Sequence, residues 1–92
     1  MQRQLGAAMA AKLALRIAEL VAVENLADLA LLPGPRCHQL IGDREGQLSL
    51  DLVHPMRLII EPSHDPRPAK ADGGLDWKGV TAVVIVEIAD TH

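Results

Sequence analysis

Leucines at 48, 50 and 52 alternate with Gln47, Ser49 and Asp51. Strict period-two alternation marks a strand with one buried and one solvated face. The run breaks at His54-Pro55 and then resumes, with Met56, Leu58 and Ile60 directed at the core. Arg57 falls on the same open side as Gln47, Ser49 and Asp51. Before this hairpin, residues 36–41 form a strand candidate that enters the tight charged turn Gly42-Asp43-Arg44-Glu45-Gly46. Its two glycines suit the positive φ angles of a bulged or longer hairpin loop. The stretch TAVVIVEI within residues 80–88 is apolar at both parities. Such a run predicts a central strand covered by helix on at least one side.

The N-terminal part has a different period. Leu5, Met9, Leu13, Ile17 and Leu20 recur at helical spacing, with Lys12, Arg16 and Glu19 on the other side. Asn25 is placed to cap a second, short helix through Leu32, with Asp28 in its first turn. Pro33-Gly34-Pro35 ends helical structure. The predicted layout is helices within about 2–32, strands at about 36–41, 46–53, 56–61 and 80–88, and a loop over 62–79. This is a single α+β domain, residues 1–92, with two N-terminal helices packed on a small antiparallel β-sheet.

Composition narrows the function classes. Hydrophobic residues make up 49% of the 92, and the only aromatic is Trp77, which reads as a plug holding the loop on the core. An aliphatic chain lacks the aromatic platforms on which single-stranded nucleic acids stack. With a formal net charge of −3 there is no global field to attract RNA, so any contact must come from a local arginine cluster. The one cysteine, Cys37, excludes an internal disulfide and suits the cytoplasm. No signal peptide is apparent, and no apolar run approaches the ~20 residues that cross a bilayer. His64, Asp65 and Asp72 are metal-type side chains without ligand spacing; neither a metal nor a cofactor is predicted.

GDREG, the strand carrying Arg57 and the terminal EIADTH together resemble the HigB-type killer proteins of the RelE/ParE toxin superfamily. The likeness spans roughly residues 10–92, including LPGPRCHQLIGDREGQLSLDLVHPMRLIIEP and DGGLDWKGVTAVVIVEIADTH. It implies a RelE-like fold and a cytoplasmic toxin of a bacterial toxin–antitoxin system, used in plasmid maintenance. The toxin would be neutralised by a helix-turn-helix, HigA-like antitoxin. The implied activity is ribosome-dependent cleavage of messenger RNA, by attack of a ribose 2′-hydroxyl on its own phosphate. Carried over by position, His38, Arg57, Asp90 and His92 are the catalytic candidates. The histidines suit proton transfer and Arg57 a phosphate clamp. Arg36, Arg44, Arg67 and Lys70 are candidates for RNA contact.

The chain also departs from that pattern. Ile41 stands where relatives have lysine, Met56 and Thr91 where they have aromatics, and the N-terminal strand of the family is absent. The chain is therefore either N-terminally truncated relative to its relatives or a branch that does without that strand. A missing strand exposes a sheet edge, which predicts a homodimer, strand addition by the antitoxin, or a toxin–antitoxin heterotetramer. Two alternatives stand beside the nuclease: a degenerate toxin that only binds antitoxin, and a ParE-like DNA gyrase inhibitor. Plain structural roles also remain open, with Arg57 paired to Asp51 or Glu61, His38 bonded to backbone, and His54 as turn chemistry.

Overall fold

The computed structural model describes the backbone of residues 2–90 and the side chains from residue 6 onward. A long helix α1 (Gln2–Ala22) is followed by a one-turn helix α2 (Leu26–Ala30). Four strands come next, β1 (His38–Gln39), β2 (Leu48–Asp51), β3 (Met56–Pro62) and β4 (Val83–Asp90). They form one antiparallel sheet in the order β1-β2-β3-β4. The class is α+β, with one long helix on a four-stranded meander.

The period-two pattern is the part of the sequence that the sheet follows most closely. Leu48, Leu50, Leu52, Leu58 and Ile60 form the core, closed by Leu26 and Leu29 of α2 and by Val80. Met9, Leu13 and Leu20 of α1, with Trp77, pack against that cluster. Asn25 caps α2 as its position predicts: its Oδ1 accepts the Asp28 N–H at 2.9 Å. The Gly42–Gly46 connection is a 3-10 turn over Gly42–Arg44. Its glycines take φ of +68° and +93°, a region that costs a side-chain-bearing residue strain. Among the described residues no helix is long and apolar enough to cross a membrane.

Five expectations are corrected. The face of β2 and β3 expected to be solvated is covered, with Ser49 and Ile59 fully buried and Asp51 and Arg57 only partly exposed. Ile17, placed on the buried stripe of the helix by its period, is exposed, and the side chain of Leu5 lies outside the described residues. The strand predicted for 36–41 shrinks to His38–Gln39, because Arg36 has a left-handed φ of +50° and the backbone N–H of Asp51 is already taken by the Pro35 carbonyl at 2.7 Å. The strand predicted as central and covered is instead the sheet edge β4, and Val84, Ile85, Val86 and Ile88 are all exposed. Arg16, placed on the wet side of the helix by its period, is buried. Its Nε donates to the Asp51 carbonyl at 2.6 Å and its Nη2 to the Gly34 carbonyl at 2.9 Å. Its Nη1 meets Glu19 Oε1 at 2.7 Å. Arg16 is thus a strut from α1 to the end of β2. The long loop after β3 is not featureless either, with a bridge between Ala69 and Leu75 and a 3-10 turn over Trp77–Gly79.

Candidate anion-binding cleft at the β2–β3 end of the sheet

The face of the sheet away from the helices carries polar side chains in register. Asp51 is the cross-strand partner of Arg57, and Ser49 that of both His38 and Ile59. Asp51 and Arg57 form an ion pair with only 23% and 18% of their side chains exposed. On the other side of the same carboxylate, Arg36 Nε lies 3.7 Å from Asp51 Oδ2, with its side chain 77% exposed. Two guanidinium groups therefore converge on one carboxylate, one held in the sheet and the other reaching in from the left-handed Arg36 position.

Beyond them opens a cleft of about 210 Å³ lined by Arg36, Asp51, Leu52, His54, Met56 and Arg57. His54 arrives there on the four-residue turn Val53–Met56, closed by the Met56 N–H on the Val53 carbonyl at 2.9 Å. Sequence reasoning gave His54 only a turn role. The His-Pro pair was the signal, since a break between two hairpin strands must present its residues at the sheet end. Asp90 is the partner of Met56 in the β3–β4 ladder and so belongs to the same end of the sheet. His92 and Thr91 lie outside the described residues.

His38 flanks the cleft through its neighbour Arg36. Its Nδ1 is 3.1 Å from the Arg36 carbonyl, and its Nε2 is 3.1 Å from the Ser49 hydroxyl. A carbonyl only accepts, so Nδ1 carries a proton, and in the neutral ring Nε2 accepts from the buried Ser49. Between Arg36 and His38, burial pushes the Cys37 thiol up from 9.0 to about 12. It stays protonated near neutrality and is no nucleophile, despite its basic neighbours.

The other candidates stand elsewhere. Arg44 bridges Glu87 Oε2 at 2.9 Å and Gln47 Oε1 at 3.1 Å. Arg67 donates to the Gly46 carbonyl at 2.9 Å and lines a shallow depression with Gln39, Glu45 and Gly74. Lys70 borders a separate apolar hollow with Ala27, Ala30, Leu75 and Trp77. The structure therefore brings Arg36, Arg57 and His54 together, with His38 alongside, and leaves Arg44, Arg67 and Lys70 apart from them.

Comparison of the chain with protein-family models, with curated proteins and with solved structures found no match.

The remaining histidine of the loop has a structural task. His64 Nε2 accepts the backbone N–H groups of Thr81 and Ala82 at 3.1 and 3.3 Å, steering the chain into β4. That nitrogen is thereby unavailable to a metal. Among the described residues no group of three His, Cys, Asp or Glu side chains is arranged to hold a metal ion.

Proposed function

We propose that the cleft holds an RNA phosphodiester, and that the protein is a RelE-like toxin cutting messenger RNA on the ribosome. The observation that carries this reading is the convergence of Arg36 and Arg57 on Asp51. A phosphate entering beside that carboxylate meets two planar guanidinium forks, the donor geometry best matched to its oxygens. Two arginines and one aspartate leave one net positive charge in the cleft. That suits a single phosphate better than a long backbone track.

In this reading the O2′–P bond forms, the P–O5′ bond breaks, and the products are a 2′,3′-cyclic phosphate and a 5′-hydroxyl. His38 Nε2, released from Ser49, takes the 2′-hydroxyl proton. His54 in the cleft, or His92 as the resemblance implies, protonates the departing O5′. Arg57 and Arg36 stabilise the charge on the phosphoryl oxygens. A cytoplasmic site of action and a helix-turn-helix antitoxin belong to the same proposal.

A second reading is favoured by a specific observation. Arg57 is already tied to Asp51, and both His38 nitrogens are engaged. A site so occupied fits a protein that only binds, whether to an antitoxin or, in the ParE manner, to gyrase.

Cleavage on programmed ribosomes, mapped by primer extension, separates the two. The nuclease reading expects a break in the A-site codon that Arg57→Lys and His38→Gln each reduce by roughly 10²-fold or more. A folded chain that leaves the message intact sinks it.

A further inference from the structure

Two histidines of the chain are bonded in ways that answer a proton differently. His38 Nε2 accepts from the Ser49 hydroxyl at 3.1 Å. A hydroxyl turns about its own C–O bond from donor to acceptor, so that contact survives protonation of the ring. His64 has no such freedom. Its Nε2 accepts the backbone N–H groups of Thr81 and Ala82 at 3.1 and 3.3 Å, and a backbone N–H only donates. The ring is therefore the neutral tautomer with its proton on Nδ1. A second proton, on Nε2, sets one donor against two, and both bonds are lost together.

These bonds close the foot of the long loop between β3 and β4. Pairing of the two strands reaches Pro62 opposite Val83, and one more rung follows, the Ser63 N–H on the Ala82 carbonyl at 2.9 Å. Beyond that rung the His64 side chain spans the gap. The rest of the loop hangs on contacts that do not titrate near neutrality. Arg67 donates to the Gly46 carbonyl at 2.9 Å, the Asp76 N–H to the Pro68 carbonyl at 3.0 Å, and the Leu26 N–H to the Val80 carbonyl at 3.1 Å. Release at His64 is thus confined to the foot itself. Thr81 and Ala82 are exposed and His64 is half-buried, so solvent protons reach the ring.

The charged groups around the foot come from several elements. Asp65 follows His64 on the loop, and Lys78 lies in the 3-10 turn before Thr81. Glu24, from the turn between the helices, shares a depression with Thr81 and Ala82. Glu61 of β3 and Glu87 of β4 face Gln47 and Arg44. Among the described residues none of these groups bonds the ring, whose partners are the two N–H groups.

We propose that His64 is an acid-released latch: neutral, it clips the start of β4 to the chain leaving β3, and protonated, it frees Thr81 and Ala82 while the sheet stays paired. Imidazole is the side chain whose charge ordinarily changes between about pH 5 and 8, so the latch opens on mild acidification. It does not depend on the RNA reading, since the cleft lies at the Met56 end of β3 and His64 beyond the Pro62 end.

Amide exchange followed by NMR tests it, read as protection relative to an unstructured peptide at each pH. Loss of the two bonds is expected to cut the protection of Thr81 and Ala82 by roughly tenfold between about pH 8 and about pH 5. Leu58 and Ile60, in the middle of β3, keep theirs. His64→Gln supplies an acceptor of similar reach that takes no proton in this range, and its protection is expected to stay level. His64→Ala needs no such fit, and leaves both amides unprotected at either end of the range. Long-range proton–nitrogen correlation of the ring gives an independent reading, with the proton expected on Nδ1 in the neutral form. Level protection in the unaltered chain, a pH dependence that persists in His64→Ala, a neutral ring with its proton on Nε2, or a loss that spreads to Leu58 and Ile60 overturns the proposal.

Discussion

Three consecutive residues, Arg36, Cys37 and His38, show how differently neighbours are used. Arg36 takes a left-handed φ and stays in solvent, Cys37 turns into the core, and His38 lies on the polar sheet face. For Cys37 the consequence is a pH dependence with a definite sign. Its folded pKa is raised by burial, so between 9.0 and about 12 the native state keeps a proton that the unfolded chain has lost. Its contribution to stability is therefore complete below pH 9.0 and declines as pH rises toward 12. Urea midpoints should fall more steeply with pH over that interval than those of Cys37→Ala, and equal slopes would show that the thiol does not titrate as placed. Little of this was legible in sequence. A small core role for Cys37 follows from its strand setting, but the left-handed Arg36 and the aim of His54 into the cleft depend on how two turns close.

At the scale of elements, alternation fixes which residues of β2 and β3 share a face, because successive side chains point to opposite faces whatever lies around them; it does not say that the second face, with Ser49 and Ile59, is buried as well. Two of the misplaced features, Arg16 and β4, depend on how the layers meet. A helix about 10 Å across covers roughly two strands spaced about 4.8 Å apart. The helical layer sits on β2 and β3, and β4 lies beyond it. An apolar run at both parities states that a strand can be covered on both faces, and the width of the helical layer decides whether it is. Arg16 was misread because a helical period scores hydrophobicity and is blind to carbonyl acceptors at a strand end. Its loss should be felt between elements: Arg16→Met strands the Asp51 and Gly34 carbonyls and Glu19, a cost of about 2–4 kcal/mol. Urea denaturation measures this, and a change below about 0.5 kcal/mol would mark the strut as ornamental.

Over the whole molecule the net charge of −3 and the local arginine pair pull in different directions. A single cleft with one net positive charge neutralises only one or two phosphates. Binding of a short single-stranded RNA should then give a log–log salt slope no steeper than about −1.4. A much steeper slope would require a basic surface beyond the cleft and would return Arg67 and Lys70 to the binding site. The class of the domain, the core-facing residues of its two middle strands, the cap at Asn25 and a carboxylate partner for Arg57, either Asp51 or Glu61, were written in the sequence. They rest on local rules of period and turn chemistry that act within a few residues. The burial of Arg16, the exposed edge at β4 and the cleft joining Arg36, His54 and Arg57 were decided only by tertiary structure. Each depends on which distant segments come to lie side by side, and no periodicity along the chain carries that information.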